Sequence, residues 1–284
     1  MSDHATAPAD TSHYENFPVA SILCPIRLRP PVAAIYGFAR TADDIADEGD
    51  ASAQQRLDDL ADMRVDLMAA SQGRPGTGRW PQVFEPLALM LVQFNLPVPL
   101  LDDLLSAFAQ DVVKTRDGAT YAHRTELLAY CRLSANPVGR LLLHLYGVKD
   151  EVSLAQSDDI CTALQLINFW QDLGLDIARG RYYLPADECT PYGLVPSNLI
   201  ALRQSLDATT LIANNVQYAR TTMLKGAKLV KQVPGRAGWE LRLVVQGGLR
   251  IADKIEALNF ATLTHRPKIT RWDVPIMLWR ALWM

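Results

Sequence analysis

Residues 164–177 constrain the fold more than any other stretch of the chain. Gln165, Asn168, Asp172 and Asp176 fall at i, i+3, i+7 and i+11, which is one stripe of an α-helix. Their neighbours include Leu166, Ile167, Phe169, Trp170, Leu173 and Ile177. A helix this apolar has to be covered on most sides. Its polar stripe therefore faces either water or a polar cavity. Facing water would leave a wide apolar surface to bury on the remaining sides, so an interior cavity is the better fit.

A second stretch, Tyr36 to Asp47, carries Asp43, Asp44 and Asp47. Asp43 and Asp47 are four apart, as are Asp172 and Asp176. On a helix that separation is roughly 40° around the axis and about 6 Å along it. Each pair of carboxylates thus looks out from one face. Taken alone, Asp43 to Asp47 could be a solvated helix end. Two such faces turned toward each other would form a site rich in oxygen ligands. Mg²⁺ takes one or two carboxylates and completes its shell with water and substrate phosphate, which suits the ionisation of a diphosphate ester. Arg40, one turn before Asp43, relieves the carboxylate repulsion and is placed to donate to a diphosphate oxygen. The amides of Gln165 and Asn168 can orient a diphosphate or a cation without adding negative charge. Arg181 and Tyr183 follow closely and are placed to close over a leaving group.

The rest of the chain reads as helix. Apolar residues make up 49% and charged residues 21% of 284, with no break in composition. Apolar positions recur at helical spacing, and no segment alternates as a half-buried strand does. Helices are predicted over 30–47, 51–70, 82–95, 98–115, 124–146, 152–178, 208–233, 237–260 and 271–283. The stretch 180–206 reads as irregular, with Pro196-Ser197 able to start a short helix. The expectation is an all-α single domain over 13–284, preceded by a disordered polar tail over 1–12. The net charge of −3 argues against a nucleic-acid partner. No stretch has the 18 or so uninterrupted apolar residues of a membrane span, and residues 1–12 lack the pattern of a secretory signal. Cys24, Cys131, Cys161 and Cys189 are widely spaced and read as reduced thiols of a cytoplasmic protein.

With both aspartate motifs in order, the Gly180-Arg181-Tyr182-Tyr183-Leu184-Pro185 run and Tyr130-Cys131, the sequence resembles the squalene and phytoene synthase family of head-to-head prenyl synthases. The resemblance runs from about His13 to Arg266. It implies the isoprenoid synthase fold, with a central apolar tunnel capped by two aspartate-rich helices. It assigns Asp43, Asp47, Asp172 and Asp176 to Mg²⁺, with Asn168 beside them. It places Tyr36, Arg40, Gln165, Asn168, Arg181 and Tyr183 at the diphosphate or the tunnel mouth. His13, Tyr14, Asn16 and Phe17 match a phosphate-gripping segment, with Asn16 where serine is common.

Three departures bear on the reaction. Gln171 stands where the family has an arginine beside the metal. Ser134-Ala135-Asn136-Pro137-Val138-Gly139 replaces the usual Ala-Gly-x-Val-Gly. Pro137 removes a backbone donor, so a freed carbonyl and the Asn136 amide are expected to hold a water near the tunnel. Gly247-Gly248 stands where a family tyrosine aligns, making room for a ligand or allowing tight helix packing. These segments, with Asn16-Phe17-Pro18-Val19, resemble the hydroxysqualene synthase branch. That resemblance implies presqualene diphosphate as substrate, a water quench, Mg²⁺ as cofactor and no NADPH. Consistently, the chain has no strand–GxGxxG–helix unit for a dinucleotide. Phe17, Phe169 and Trp170 could offer ring faces to a carbocation or be ordinary core.

The C-terminal residues 271–284 hold Trp272, Trp279 and Trp283 with few charges. They fit a helix lying in a membrane interface, on the inner face of the cytoplasmic membrane, or a terminal helix docked on the core. Association with other enzymes of the squalene route is a further expectation.

Overall fold

The computed structural model describes residues 24–195, 199, 201, 203–233 and 235–284. The tail over 1–12, His13, Tyr14, Asn16, Phe17 and Pro196-Ser197 lie outside them. The described residues form helices joined by short loops, with a single isolated parallel bridge between Thr120 and Tyr182.

Helix α1 (Arg29–Asp47) takes Pro30 and Pro31 in its first turn, where a missing N–H costs nothing. Its Ala34, Phe38, Ala42 and Ala46 recur every fourth residue and are buried, which turns Arg40, Asp43 and Asp47 the other way. Helix α2 (Ala53–Ser71) starts with a capping box between Ser52 and Gln55. Helices α3 (Pro81–Phe94) and α4 (Val98–Asp117) pack with α1 and α2 around Leu28, Phe38, Met63, Leu87 and Leu101.

A second core surrounds α7 (Glu151–Gln171), whose N-terminus is capped by Asp150 accepting from Ser153 N–H at 2.9 Å. Helix α7 packs against α5 (Arg124–Ser134), α6 (Asn136–Leu145), α10 (Leu206–Gly226) and α11 (Gly235–Ala257). Short helices α8 (Leu173–Ala178) and α9 (Ala186–Cys189) follow it, and α12 (Val274–Leu282) lies on α11.

The predicted elements stand, with three corrections. The helix predicted over 124–146 is broken at Ala135. Pro137 sits in the first turn of α6, and Val138 N–H donates to Ala135 O at 3.2 Å. The helix predicted over 152–178 is broken at Asp172, because the chain at Thr262-Leu263 intrudes. Gly174 N–H donates to Thr262 O at 3.2 Å instead of continuing the helical ladder. A Cβ on Gly174 would lie 2.4 Å from Leu263 O, so only glycine allows that approach without displacement. The helix predicted over 208–233 ends at Gly226 and tightens to a 3₁₀ turn at Ala227–Lys231.

Candidate active site

A polar cavity of about 830 Å³ lies where α1, the α7–α8 junction, α11 and the segment 266–269 meet. Helix α1 brings Tyr36, Arg40 and Asp43 to it, and the α7–α8 junction brings Gln165, Asn168, Asp172 and Asp176. The two motifs, distant in sequence, thus share one cavity. Tyr36, Val138, Cys161 and Leu164 also wall a second cavity of about 360 Å³. That second space runs between α1, α6, α7 and the first half of α11 and is lined mostly by apolar side chains. A polar mouth over an apolar recess is the result.

Among the described residues, every carboxylate of the two motifs except Asp176 is met by an arginine or an amide. Arg40 reaches Asp43 at 3.3 Å and Asp44 at 2.6 Å. Arg266 pairs with Asp172 through two N–H groups, one of them at 3.0 Å, and Asn168 Nδ2 donates to the same carboxylate at 3.3 Å. Arg181 pairs with Asp47, which ties the loop after α8 to the end of α1. The carboxyls still repel one another. Burial, then the neighbouring Asp47, pushes Asp43 up to about 6. Burial, then Asp172, pushes Asp176 up to about 7. Asp111 on α4 is raised to about 7 by burial, although the Tyr130 hydroxyl donates to it and opposes the rise.

Several predicted residues sit differently from their expected places. Asp47 and Arg181 lie beside the main cavity, in a crevice of about 400 Å³ shared with Asp111 and Arg179. Tyr183 is buried and stacked on Phe169, with ring centroids 3.7 Å apart. The bridge between Thr120 and Tyr182 draws this segment inward, so Tyr183 belongs to an aromatic core with Tyr121 and Tyr130 and not to the mouth. Phe169 and Trp170 are likewise core side chains. Gln171 borders the cavity but is buried, and its Nε2 donates to Pro267 O at 2.7 Å. It thereby fixes the segment that carries Arg266. Asn136 does not line the polar cavity, because its Oδ1 accepts from Thr162 Oγ1 on α7 at 3.0 Å. Ser134, Ala135 and Val138 line the cavity there instead. Gly247 and Gly248 both line it, and a Cβ on Gly248 would press on Leu164 and Met223 at 2.8 Å. Tight packing thus accounts for Gly248, and both glycines border the cavity. His13, Tyr14, Asn16 and Phe17 are outside the described residues.

Three cations at the mouth were not read from the sequence: Arg179, Arg266 and Lys268. The run His265-Arg266-Pro267-Lys268 was the only signal of the latter two, and its place in the fold depends on contacts with the α7–α8 junction.

The donor set fits Mg²⁺. Among the described residues no three His, Cys, Asp or Glu side chains converge as a cage. A cage is not what Mg²⁺ requires, since one or two carboxylates and a substrate diphosphate suffice. Asp43 and Asp176 are raised first by burial and then by Asp47 and Asp172, and a hard cation beside them would favour their charged forms.

The model of the squalene/phytoene synthase family matches residues 11–273. The hydroxysqualene synthase of Zymomonas mobilis is 38% identical over 225 residues, covering 78% of this chain and 69% of that one. That of Sinorhizobium fredii is 34% identical over 252 residues, covering 88% and 81%. Among solved structures, squalene synthase HpnC from Alicyclobacillus acidocaldarius is similar with a TM-score of 0.78 and 34% identity, covering 88% of this chain and 90% of that one. With two aspartate motifs meeting over an apolar recess and a family match across nearly the whole chain, the protein belongs to the squalene/phytoene synthase family.

Proposed function

We propose that the protein is a hydroxysqualene synthase. It ionises presqualene diphosphate in a Mg²⁺-dependent step, and water captures the rearranged cation to give hydroxysqualene on the route to squalene and hopanoids. The observation that carries this reading is the joining of a polar, carboxylate- and cation-lined mouth to an apolar recess. The relatives named hydroxysqualene synthase support the choice of substrate.

Asp43, Asp47, Asp172 and Asp176, with Asn168, would hold Mg²⁺, which supplies Lewis-acid withdrawal of charge from the diphosphate. The protein's own groups do the rest. Arg40, Arg179, Arg266 and Lys268 offer donors to the diphosphate as its negative charge grows. The pairing of Arg266 with Asp172 and of Arg181 with Asp47 fixes those side chains before substrate arrives, so little reorganisation accompanies the reaction. Tyr36 stands at the boundary of mouth and recess, and the apolar recess takes the hydrocarbon chains and limits the access of bulk water. Gln171 acts through position, by fixing Pro267 between the two mouth cations Arg266 and Lys268.

The protein would work in the cytoplasm, at the membrane surface that supplies so apolar a substrate. No helix among the described residues is long and apolar enough to cross a membrane.

The test is incubation with Mg²⁺ and presqualene diphosphate in H₂¹⁸O without NADPH. The expected product is an ¹⁸O-labelled alcohol. Unlabelled product, or turnover only with NADPH, would overturn the water quench. Phytoene synthases at 32–34% identity keep head-to-head condensation as a second reading. Presqualene diphosphate or phytoene formed from two simple prenyl diphosphates would establish it.

A further inference from the structure

The apolar recess has one end unlike the rest. It begins at the mouth, where Tyr36, Val138 and Leu164 wall both cavities. From there its lining runs along the helices, away from the aspartates. On α6 it passes from Val138 through Leu142 to Tyr146, the residue that caps the helix. On α11 the mouth takes Gly247 and Gly248, and the recess takes Val244, Leu241 and Glu240. On α1 the mouth takes Arg40 and Asp43, and the recess recedes through Ile35 to Val32, with Cys24 shortly before the helix. At a rise of about 1.5 Å per residue, Tyr146 lies roughly 12 Å beyond Val138, and Glu240 roughly 10 Å beyond Gly247.

Three polar side chains from three separate elements meet at that far end. The Tyr146 hydroxyl hydrogen-bonds the Cys24 thiol, and the Glu240 carboxylate acts on both through its charge. Burial, then Glu240, raises the Cys24 thiol; burial, then Cys24 and Glu240, pushes Tyr146 up to about 12. Glu240 is half-buried, and among the described residues it is the only charged side chain that lines the recess. No cation pairs with it among those residues. Each methylene of a hydrocarbon that enters the recess leaves water for an apolar wall and gains by doing so. A methylene pressed against Glu240 must instead strip water from a carboxylate and returns no hydrogen bond, which costs more than its burial gains.

We propose that Glu240 is a specificity-determining residue: with Tyr146 and Cys24 it closes the recess with polar groups and so limits the length of hydrocarbon that the protein accepts. The inference deepens the proposed function and rests on the placing of the substrate diphosphate at the mouth. With the diphosphate held there, chain length alone decides whether the hydrocarbon ends among apolar side chains or meets the carboxylate. The limit is one of polarity and not of bulk. An apolar side chain of similar size at position 240 should therefore lift it.

The experiment titrates wild type, Glu240→Met, Glu240→Ala and Tyr146→Phe with a series of linear saturated alkyl diphosphates in the presence of Mg²⁺, read by calorimetry. Such chains cannot ionise to an allylic cation, so binding is read without turnover. In wild type each added methylene should tighten binding about fourfold, as its transfer from water does, up to one chain length and no further. Beyond that length Glu240→Met should bind at least about fourfold tighter than wild type, with shorter chains bound equally. Tyr146→Phe, which removes only the hydroxyl, should move the break the same way by less. A break at the same length in wild type and Glu240→Met would overturn the assignment, as would affinity that keeps rising through every length in wild type. A break that moves in Glu240→Ala but not in Glu240→Met would make the limit one of bulk and overturn it too. Should wild type bind no alkyl diphosphate at all, the reading of the mouth falls first and this inference falls with it.

Discussion

Asp172 makes the strongest single-residue argument in the site, because Arg266 and Asn168 both converge on it. Asp172→Asn should lower kcat at least about 100-fold, the usual cost of losing one preorganised charge partner, and Asp43→Asn should do the same. Neither change alters core volume, so circular dichroism and melting should stay near wild type. Near-normal turnover of either variant at saturating Mg²⁺ would remove that carboxylate from the site. The raised carboxyls give a second prediction. Asp43, Asp111 and Asp176 rise to about 6, about 7 and about 7. Between about pH 4 and 7 the folded state therefore binds more protons than the unfolded chain, and stability falls as pH rises through that window. Metal-free protein should melt higher at pH 5.5 than at pH 7.5, and Mg²⁺ should shrink the difference. Melting temperatures that are equal at both pH values without metal would show that these carboxyls are not held apart from solvent. Asp43 and Asp172 were legible in the sequence because helical spacing alone sets the face on which they lie. Arg266 and Arg179 were not, because their place depends on where distant loops come to rest.

At the scale of elements, the two helix breaks matter more than the helices. The break at Ala135 was half legible: Pro137 announced it, but not that Asn136 would turn to Thr162. The break at Asp172 was hidden. Its cause is the carbonyl-lined turn at Thr262-Leu263, some 90 residues later, and nothing near Asp172 except Gly174 hinted at it. The polar stripe still reaches one cavity: beyond the break at its third member, Asp176 lines the same space as Gln165, Asn168 and Asp172. Gly174→Ala puts this to the test. Its Cβ would lie 2.4 Å from Leu263 O and 3.2 Å from Thr262 O, both backbone atoms that yield little. We expect a loss of about 1–3 kcal/mol, typical of overpacking, together with a lower kcat as Asp172 and Asp176 shift relative to each other. An unchanged melting temperature would mean that the turn can move aside at no cost, and that the break is not imposed from Leu263.

Seen as a whole, the molecule has one face unlike the rest. Helix α12 is docked on the core along one side, as one of the two readings expected, and its other side is the surface from which we propose a membrane contact. On one side Ala281 is buried, Asp273 holds Arg250 at 2.7 Å and Lys254 at 2.6 Å, and Arg280 holds Asp253 at 2.6 Å. On the other side Trp272, Trp279 and Trp283 are 73%, 63% and 75% exposed. Arg271 lies over the Trp272 ring, and on α11 Arg242 lies over Trp239. Tryptophan favours the membrane interface, and arginine beside it favours anionic lipid. The first half of α11 also walls the apolar recess, through Ala237, Leu241 and Val244. Trp239 of this face is thus carried by a helix that also walls the recess. Deleting the segment would be a poor test, since it removes the Asp273 anchor as well as the tryptophans. Replacing Trp272, Trp279 and Trp283 with glutamine leaves the anchor in place. We expect that variant to sediment less with vesicles containing phosphatidylglycerol, to melt near wild type, and to keep its activity on detergent-dispersed substrate. Unchanged vesicle binding would place the membrane contact elsewhere, whereas a large fall in melting temperature would make the tryptophans structural.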